Sequence, residues 1–375
     1  MAGNTKAKAK KPIRVHRVRK VLHIGIDLDR APWSGTLVRA LPDNVENHGT
    51  HADDGTASFL QLHRPQFPPL TPRAGPGPMN RMARVMKGYE LVVTHGDHAF
   101  PATMGHTLFG QGLKLPPLVH YHDGYGEVPA GWWARFRHKL GMARTPVVVA
   151  PTQAAARSIA NDWQVKGANL HILPPLFPPA PKSAPKPDAI PRMMKRKGEK
   201  WIGMRAADAL TLADDLLPAI ARLESDWHLV AVGPAEQTDA LMKRVEAEGF
   251  EDRLHVTARL HGPGVVAGLF DLAVLDARDG RVPPDLPAVM AAGVPLVAVG
   301  SAGLAELMPR ENADWRIDPD ALGTLGPWVD RVTLKPALLE AAGTANAAFA
   351  AARSDPGEHL TLLAGAIGRD SLSDR

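Results

Sequence analysis

The sequence contains no cysteine. Disulfide bonds, thiol nucleophiles, iron–sulfur clusters and cysteine-ligated zinc are therefore excluded, and any metal would need histidine or carboxylate ligands. Long apolar runs are missing too, because none reaches the roughly 18 to 20 residues that a membrane-spanning helix needs. The basic N-terminus lacks the apolar stretch and small-residue cleavage site of a secretory signal. These absences predict a cytoplasmic protein.

The net charge of +5 comes from one end of the chain. Residues 1–20 hold eight lysines and arginines and no acid, so the rest of the chain carries −3. We expect a mildly acidic folded body, with no nucleic-acid binding, and a basic, disordered arm at residues 1–20. Such an arm is either a solvated tail or a peripheral contact with an anionic membrane at its inner face.

Short apolar runs alternate with helical segments in both halves of the 375 residues, which predicts two α/β domains with mostly parallel sheets. In the first half the predicted strands are 21–26, 57–62, 90–95, 117–120, 146–150 and 170–173. In the second half they are 201–204, 228–233, 254–256, 272–275 and 295–299. The predicted helices open near Leu37 and cover 152–163, 208–224, a segment ending at 247, 286–292 and 336–367.

Eight prolines fall between Pro174 and Pro191, a density that excludes a helix or a central strand and predicts a semi-rigid linker. The expected organisation is a first Rossmann-like domain, a linker, a second Rossmann-like domain and C-terminal helices that pack back on the first domain, at 21–178, 179–198, 199–335 and 336–375. Two doubly wound domains of this kind face each other across a cleft at the carboxyl ends of their strands, where such folds bind ligands.

Several polar residues follow the predicted strands. Ser34 and Gly35 come after the first strand and before the helix at Leu37, where glycine backbone and a helix N-terminus attract phosphate. Arg205 follows strand 201–204, and a guanidinium there suits a diphosphate, which it grips with two hydrogen bonds. Carboxylates ahead of the helix at 286–292 are suited to sugar hydroxyls.

Four histidines also lie just past strand ends, namely His95, His98, His120 and His122. His120 and His122 share a face of an extended strand, which places His122 in the cleft as a hydrogen-bonding group. A metal-dependent hydrolase built on the four histidines is an alternative, because imidazole binds divalent metals. A purely structural role for them is a third interpretation.

Five segments together resemble the retaining glycosyltransferases of the GT-B fold, family 4, over about Lys20 to Pro309. They are 147–152, 170–175, 229–234, 289–297 and 300–306, and the Ala-Ala-Gly-x-Pro-Leu-Val core is the most specific of their features. The resemblance implies an acceptor domain followed by a nucleotide-sugar domain. It also implies transfer of a hexose, with retention, from a nucleotide-diphosphate sugar to a glycan, a lipid-linked or another hydroxyl acceptor, without cofactor or metal.

The resemblance also implies roles for individual residues. Gly35, next to Ser34, belongs to the donor-phosphate loop of the first domain, and His122 approaches the reacting sugar. Arg205 neutralises the diphosphate, and Asp279 contacts the donor sugar.

The sequence departs from the family pattern at three points. Ala288 stands where a ribose-binding glutamate is expected, with Asp285 one turn earlier as its substitute. The segment 206–212 lacks the family's lysine, and Asp279 aligns only with a one-residue insertion. Glu306, in the last matching segment, completes the expected substrate contacts. These departures leave a second hypothesis, a catalytically silent module that binds a glycan or a partner protein.

Overall fold

The computed structural model describes residues 19–51, 53–126, 131–145, 147–258 and 266–367. They form two domains, each built on a six-stranded sheet whose strand pairs are all parallel. Most of the predicted basic arm, residues 1–18, lies outside the described residues. Within them, no helix has the length and apolar character needed to cross a membrane.

The first domain has strand order β2-β1-β3-β4-β5-β6. Its strands are β1 (Arg19–Ile24), β2 (Val45–Thr50), β3 (Leu91–His95), β4 (Leu118–Tyr121), β5 (Val147–Ala150) and β6 (Leu170–Ile172). Its helices are α1 (Pro32–Ala40), α2 (Asp54–Phe59), α3 (Pro76–Met86), α4 (Phe100–Leu113), α5 (Trp132–Met142) and α6 (Gln153–Asp162).

The central strands of this sheet are apolar on both faces because helices cover both. In β3, Leu91 and Val93 join the core on one side, and Val92 joins Met82 and Met86 of α3 on the other. Side chains alternate between the faces of a strand, so a continuous apolar run is what a doubly covered parallel strand requires.

The second domain has strand order β12-β11-β10-β7-β8-β9. Its strands are β7 (Lys200–Arg205), β8 (Trp227–Val232), β9 (Leu254–Thr257), β10 (Leu272–Asp276), β11 (Leu296–Val299) and β12 (Arg316–Ile317). The helices that follow the linker are α7 (Ala206–Thr211), α8 (Ala213–Arg222), α9 (Ala235–Glu248), α10 (Leu286–Ala291), α11 (Leu325–Thr333), α12 (Pro336–Ala351) and α13 (Gly357–Ile367). The strand order changes direction between β7 and β10: β8 and β9 follow on one side of β7, whereas β10, β11 and β12 lie on its other side. At such a point the loops after the strands diverge and leave a crevice.

Several sequence expectations differ from the structure, among them the helix expected at 336–367, which is two helices, α12 and α13. The segment 57–62 is not a strand: its first half, 57–59, ends α2, whose N-terminus is capped by the Asp53 carboxylate accepting from the Thr56 amide. The actual second strand, β2, is polar because it lies at the sheet edge, where β1 is its only neighbouring strand and a single bridge to His63 covers its other side. The single helix expected at 208–224 is divided into α7 and α8.

The end of the predicted arm also belongs to the fold. Arg19 and Lys20 lie in β1, where the Arg19 guanidinium is 3.0 Å from Glu90 and the Lys20 ammonium is 3.7 Å from Glu46. Two of the eight positive charges are thus held in ion pairs on the sheet, and they are not part of a free arm.

The chain passes between the domains twice. Residues 173–199 contain no helix or strand and lead from β6 to β7. After α12, which packs on the second domain, α13 returns to the first, where Leu363 is fully buried in one cluster with Val21 and Val93. The first domain is therefore built from two separate stretches of sequence.

Helix α12 packs against the turn after α10 with almost no space. A Cβ added to Gly343 would lie 2.2 Å from the Gly293 carbonyl oxygen, which is backbone and cannot rotate away. Nearby, the buried Asn346 amide donates to the Val294 carbonyl at 2.8 Å. The contact depends on glycine at position 343.

This contact predicts opposite effects for two glycine substitutions in helices. Gly343→Ala should lower the free energy of unfolding by roughly 1 to 3 kcal/mol, because the methyl group forces the helix away from Gly293. Gly112→Ala in α4 has open space around its Cβ and should raise it by roughly 0.5 to 1 kcal/mol. Urea denaturation measures both, and a stabilising Gly343→Ala would contradict the close packing.

Candidate functional site

A cavity of about 1040 Å³ lies between the two domains. Its walls come from α1 and α2 of the first domain, from the proline-rich linker and from the strand ends of the second domain. The wall of the second domain includes the ends of β7 and β10, where its sheet reverses. A parallel α/β sheet binds ligands at this position, so the cavity is the candidate site.

Arg205 is the last residue of β7 and is fixed by Asp208, three residues later. Its Nη2 and Nε donate to the two carboxylate oxygens of Asp208 at 2.7 and 3.2 Å. Asp208 is buried, which raises its pKa to about 6 despite the attraction of the guanidinium. The forked pair fixes the guanidinium plane at the cavity wall, where its remaining N–H groups are available to an anion.

Asp208 was missed in the sequence analysis, although its spacing was a usable signal. An acid three residues after an arginine, at the start of a helix, is positioned to pair with it. Asp208 also accepts from the Asp276 backbone amide at 3.2 Å, so it links the ends of β7 and β10. This residue orients the strand-end arginine and at the same time joins the two strands at the sheet reversal.

Three further cations line the cavity: Arg39 of α1 and two lysines of the linker, Lys182 and Lys186. The proline density predicts only a spacer for the linker, and the segment 206–212 contains no lysine. In the structure, positive charge reaches the cavity from the linker instead. The carboxylates in the wall are Asp29, Asp188 and Asp285.

The N-terminus of α9 also opens into the cavity. Gly233, Pro234 and Gln237 form part of the wall, and α9 begins at Ala235. The first amides of a helix lack intrahelical acceptors, and the helix dipole adds partial positive charge there. This end of the cavity is therefore suited to an anionic group such as a phosphate.

The structure brings only some of the predicted site residues to the cavity. Gly35, Arg205 and Asp285 line it, together with Ala288, and the Asp285 carboxylate is 4.0 Å from Arg205 Nε. Asp285 therefore lies in the cavity wall beside Arg205. The roles of these residues stay predictions.

The expected loop at Ser34 and Gly35 needs correction. Helix α1 begins at Pro32, so both residues belong to its first turn and not to a loop ahead of it. Ser34 is buried, and its hydroxyl donates to the Ala31 carbonyl at 2.7 Å. Ser34 therefore does not face the cavity, whereas Gly35 does.

Two other predicted residues lie away from the cavity wall. Asp279 is exposed and accepts from the Arg281 amide at 2.9 Å. Glu306 accepts from the first amides of α6, those of Gln153 and Ala154, at 2.6 and 3.0 Å. Glu306 thus caps a helix of the other domain, because free amides at a helix N-terminus bind a carboxylate.

His122 lies at the carboxyl end of β4, beneath the interdomain contact. Its Nδ1 is 3.2 Å from Asp97 Oδ1, and its ring meets the Trp163 ring edge-on with centroids 5.1 Å apart. The other ring nitrogen, Nε2, is buried and has no hydrogen-bond partner among the described residues. A buried polar atom normally has a hydrogen-bond partner, so Nε2 of His122 is open to a partner other than the described residues.

Charge distinguishes His122 from its neighbour His120. Burial alone would lower the pKa of His122, but the Asp97 carboxylate outweighs it and raises that pKa above its ordinary value. In the same way His122 holds the pKa of Asp97 low although burial opposes this. Burial lowers the pKa of His120 to about 3, so His120 is neutral near pH 7.

The structure divides the four histidines of the metal hypothesis. Only His120 and His122 come together, and with Asp97 they offer ligand atoms within 4.8 Å of one another. A tetrahedral zinc site needs ligand atoms roughly 3.3 Å apart, so this group would have to contract around an ion. His95 pairs with His23, and His98 with the Gly25 carbonyl. The buried ion pair of His122 and Asp97 accounts for the geometry better than a metal site does.

A loop of the first domain closes the bottom of the cleft by reaching into the second domain. Tyr125 is fully buried, and its hydroxyl donates to the Ala277 carbonyl at 2.5 Å and accepts from the Ser301 amide at 3.2 Å. Its own amide donates to the Gly280 carbonyl at 2.9 Å. These contacts hold the two domains together.

The ion pair of His122 and Asp97 predicts a pH-dependent loss in Asp97→Asn. The pKa of His122 is raised, so the stabilisation is complete below pH 6.5 and is lost as the pH rises through the raised value. Asp97→Asn should therefore lower the free energy of unfolding by roughly 2 to 4 kcal/mol at pH 6, and by clearly less at pH 9.

Urea denaturation at the two pH values measures this. The control is Asp330→Asn, which breaks an exposed pair with Arg222. Arginine does not titrate in this range, so the control should lose the same small amount at both pH values. An equal loss at pH 6 and pH 9 in Asp97→Asn would mean that His122 is not the partner that titrates.

Comparison with known proteins agrees with this architecture. Residues 37–179 match the family model described as Glycosyltransferase Family 4. No curated protein sequence matches the chain.

Solved structures match over nearly the whole chain. HepE from Anabaena, in complex with UDP and glucose, has a TM-score of 0.69 at 14% identity, covering 92% of this chain and 98% of its own. A glycosyltransferase from Rickettsia africae has a TM-score of 0.65 at 9% identity, covering 94% and 99%. Sucrose-phosphate synthase from Thermosynechococcus elongatus has a TM-score of 0.62 at 14% identity, covering 91% and 96%.

Identities this low show a shared fold. The predicted fold class is confirmed, as is the likeness to family 4. The chain has the GT-B fold of two Rossmann-like domains facing across a cleft, and residues 37–179 match Glycosyltransferase Family 4.

Proposed function

We propose that the protein transfers a sugar, a hexose, from a nucleotide-diphosphate sugar to a hydroxyl acceptor. The observation that carries the proposal is Arg205, which Asp208 fixes at the end of β7 in the wall of a cavity of about 1040 Å³. HepE, with which the chain shares its fold, was solved in complex with UDP-glucose. A cavity of this size accommodates a ligand of that class.

The cations around the cavity suit a diphosphate leaving group. Arg205 and the α9 N-terminus face the cavity from the second domain, and Lys182 and Lys186 face the cavity from the linker. Positive groups held in position stabilise the charge that develops on a departing diphosphate without having to reorganise. We therefore propose that the protein's own side chains neutralise the leaving group, with no metal or other cofactor.

His122 is proposed to approach the reacting sugar, and Asp279 to contact it, in a reaction that retains the anomeric configuration. The buried His122 Nε2, which has no partner among the described residues, is suited to a sugar hydroxyl. Gly124 lies directly against this atom, since a Cβ added there would be 2.5 Å from it, and neither His122 nor Asp279 lines the cavity. The proposal therefore includes a separation of the domains that admits the sugar to His122.

The same placement favours a second candidate, a catalytically silent module that binds a nucleotide sugar, a glycan or a partner protein. Ala288 lines the cavity where the family pattern has a glutamate, and the Glu306 carboxylate is engaged by α6. Binding without turnover is what this candidate predicts.

The basic residues of the arm are proposed to contact an anionic membrane at its inner face. Six of the eight positive charges lie in residues 1–18, outside the described residues. Each lysine or arginine near such a surface contributes about 1 kcal/mol of attraction, so six suffice for a salt-sensitive contact.

Arg205→Ala should weaken the binding of UDP-glucose by about tenfold or more, because a hydrogen bond to a charged group contributes roughly 1.5 to 3 kcal/mol. Isothermal titration calorimetry in the presence of EDTA measures the affinity and tests the proposed independence from metal. The control is Arg222→Ala, an exposed arginine of the same domain paired with Asp330. The proposal fails if no UDP-, GDP- or ADP-sugar binds, or if Arg205→Ala binds as tightly as wild type.

A measurement of turnover distinguishes the glycosyltransferase from the catalytically silent module. With a donor that binds, wild type should release the nucleoside diphosphate, and His122→Ala should lower the rate by about a hundredfold while donor affinity changes little. The anomeric configuration of the product, read by NMR, tests retention. Binding with no release above background, with a panel of glycan and lipid acceptors present, would favour the silent module.

A further inference from the structure

Helix α5 presents a cluster of exposed apolar side chains on the surface of the first domain. Trp132, Trp133, Phe136 and Leu140 are 77, 57, 51 and 41% exposed, and we call these four residues the α5 aromatic face. Tryptophan is highly buried on average in folded proteins, so two adjacent exposed tryptophans need a reason. A contiguous exposed apolar patch marks a surface that contacts something else.

The four side chains point the same way. At about 100° per residue, their positions fall within a sector of about 100° around the helix axis. The Trp133 ring stacks on Phe136 with centroids 5.7 Å apart and meets the Trp132 ring edge-on at 5.3 Å. The face is therefore one continuous, ordered surface.

The opposite side of α5 is fixed to the domain. Gly141 is buried so closely against α4 that an added Cβ would lie 2.5 Å from the Phe100 ring. Thr107 of α4 donates to the Gly141 carbonyl. The aromatic face thus belongs to a helix held at the surface by its other side, and its exposure is not a product of loose packing.

Positive charge borders the aromatic face on both sides. By helical position, Arg135 and Lys139 lie along one edge and Arg137 along the other, and Arg144 follows in the turn after the helix ends. The stretch 132–145 contains no acidic residue, and Arg135, Lys139 and Arg144 are exposed. An apolar stripe flanked by cations is complementary to a surface that is apolar inside and negative at its rim.

We propose that α5 docks on an anionic lipid bilayer, with its aromatic face among the headgroups and its cations against lipid phosphates. Tryptophan is favoured at this depth because its ring is apolar and its N–H is polar. Lysine and arginine beside the stripe meet the negative surface potential. This contact is made by the folded domain and is separate from the proposed contact of the arm.

The docking helix lies close to His122. On its inner side, His138 stacks on Trp163 with ring centroids 4.4 Å apart, and Trp163 meets His122 at 5.1 Å. Only two ring contacts separate the proposed membrane-facing helix from the proposed reacting centre. If the proposed function holds, on which this step rests, the acceptor belongs to the lipid-linked class.

Vesicle binding by the full-length protein tests the docking surface. Wild type should sediment with vesicles containing roughly a third phosphatidylglycerol and bind phosphatidylcholine vesicles at least about tenfold more weakly. The triple variant Trp132→Ser, Trp133→Ser, Phe136→Ser should lose about tenfold or more of the binding to anionic vesicles. The matched control, Met194→Ser with Leu334→Ser, removes apolar residues that are 66 and 72% exposed elsewhere and should bind as wild type.

Two further measurements distinguish the α5 aromatic face from the arm as the part of the protein that contacts lipid. Deleting residues 1–18 removes the arm, and the triple variant should still lose binding in that background. Lipids brominated in the acyl chains should quench the tryptophan fluorescence of wild type and not that of the triple variant.

Three results would overturn the assignment. The first is a triple variant that binds anionic vesicles as wild type does, because the arm would then account for the lipid contact. The second is equal wild-type binding to neutral and anionic vesicles. The third is wild type that self-associates through this face in size-exclusion chromatography and does not bind vesicles. Calorimetry with UDP-glucose on the same variants keeps the two proposals apart, because the triple variant should bind the donor as wild type does.

Discussion

The arrangement of the whole molecule depends on Tyr125, a first-domain residue buried in the second domain. Its hydroxyl, its amide and its carbonyl bond to Ala277, Gly280 and Thr152. An unpaired polar group in that position would be costly, so these bonds stabilise the joined arrangement of the two domains.

The close fit of Tyr125 into the second domain also accounts for two glycines that lie against it. A Cβ at Gly300 would lie 2.6 Å from the Tyr125 hydroxyl, and one at Gly303 would lie 2.5 Å from the Tyr125 carbonyl oxygen. These glycines lie in a segment that resembles the family pattern. In this chain they also make room for the partner domain, so interdomain fit and family likeness share the same residues.

The sequence predicted most of the strands, including the partly buried edge strands β6 and β9, but not the polar edge strand β2 or the helices α3, α4 and α5. Strands such as β5, four buried residues all apolar, are readable because both faces are covered. The edge strand β2 has a polar sequence, and nothing local distinguishes it from a loop. The residues of the candidate site also differ in how far the sequence reveals them. Arg205 was predictable from its place after an apolar strand, whereas Lys182 and Lys186 reach the cavity through a linker whose path depends on the docking of two domains.

The return of α13 to the first domain has a consequence for synthesis on the ribosome. Leu363 fills the core beside Val21 and Val93, which are made some 270 residues or more earlier. The first domain thus leaves the ribosome with an apolar face of its sheet uncovered, and that face stays uncovered until α13 has been translated. Domains usually fold in order of their synthesis. Here the N-terminal domain is completed last, and a nascent chain stalled within the second domain would display a hydrophobic surface to chaperones and proteases.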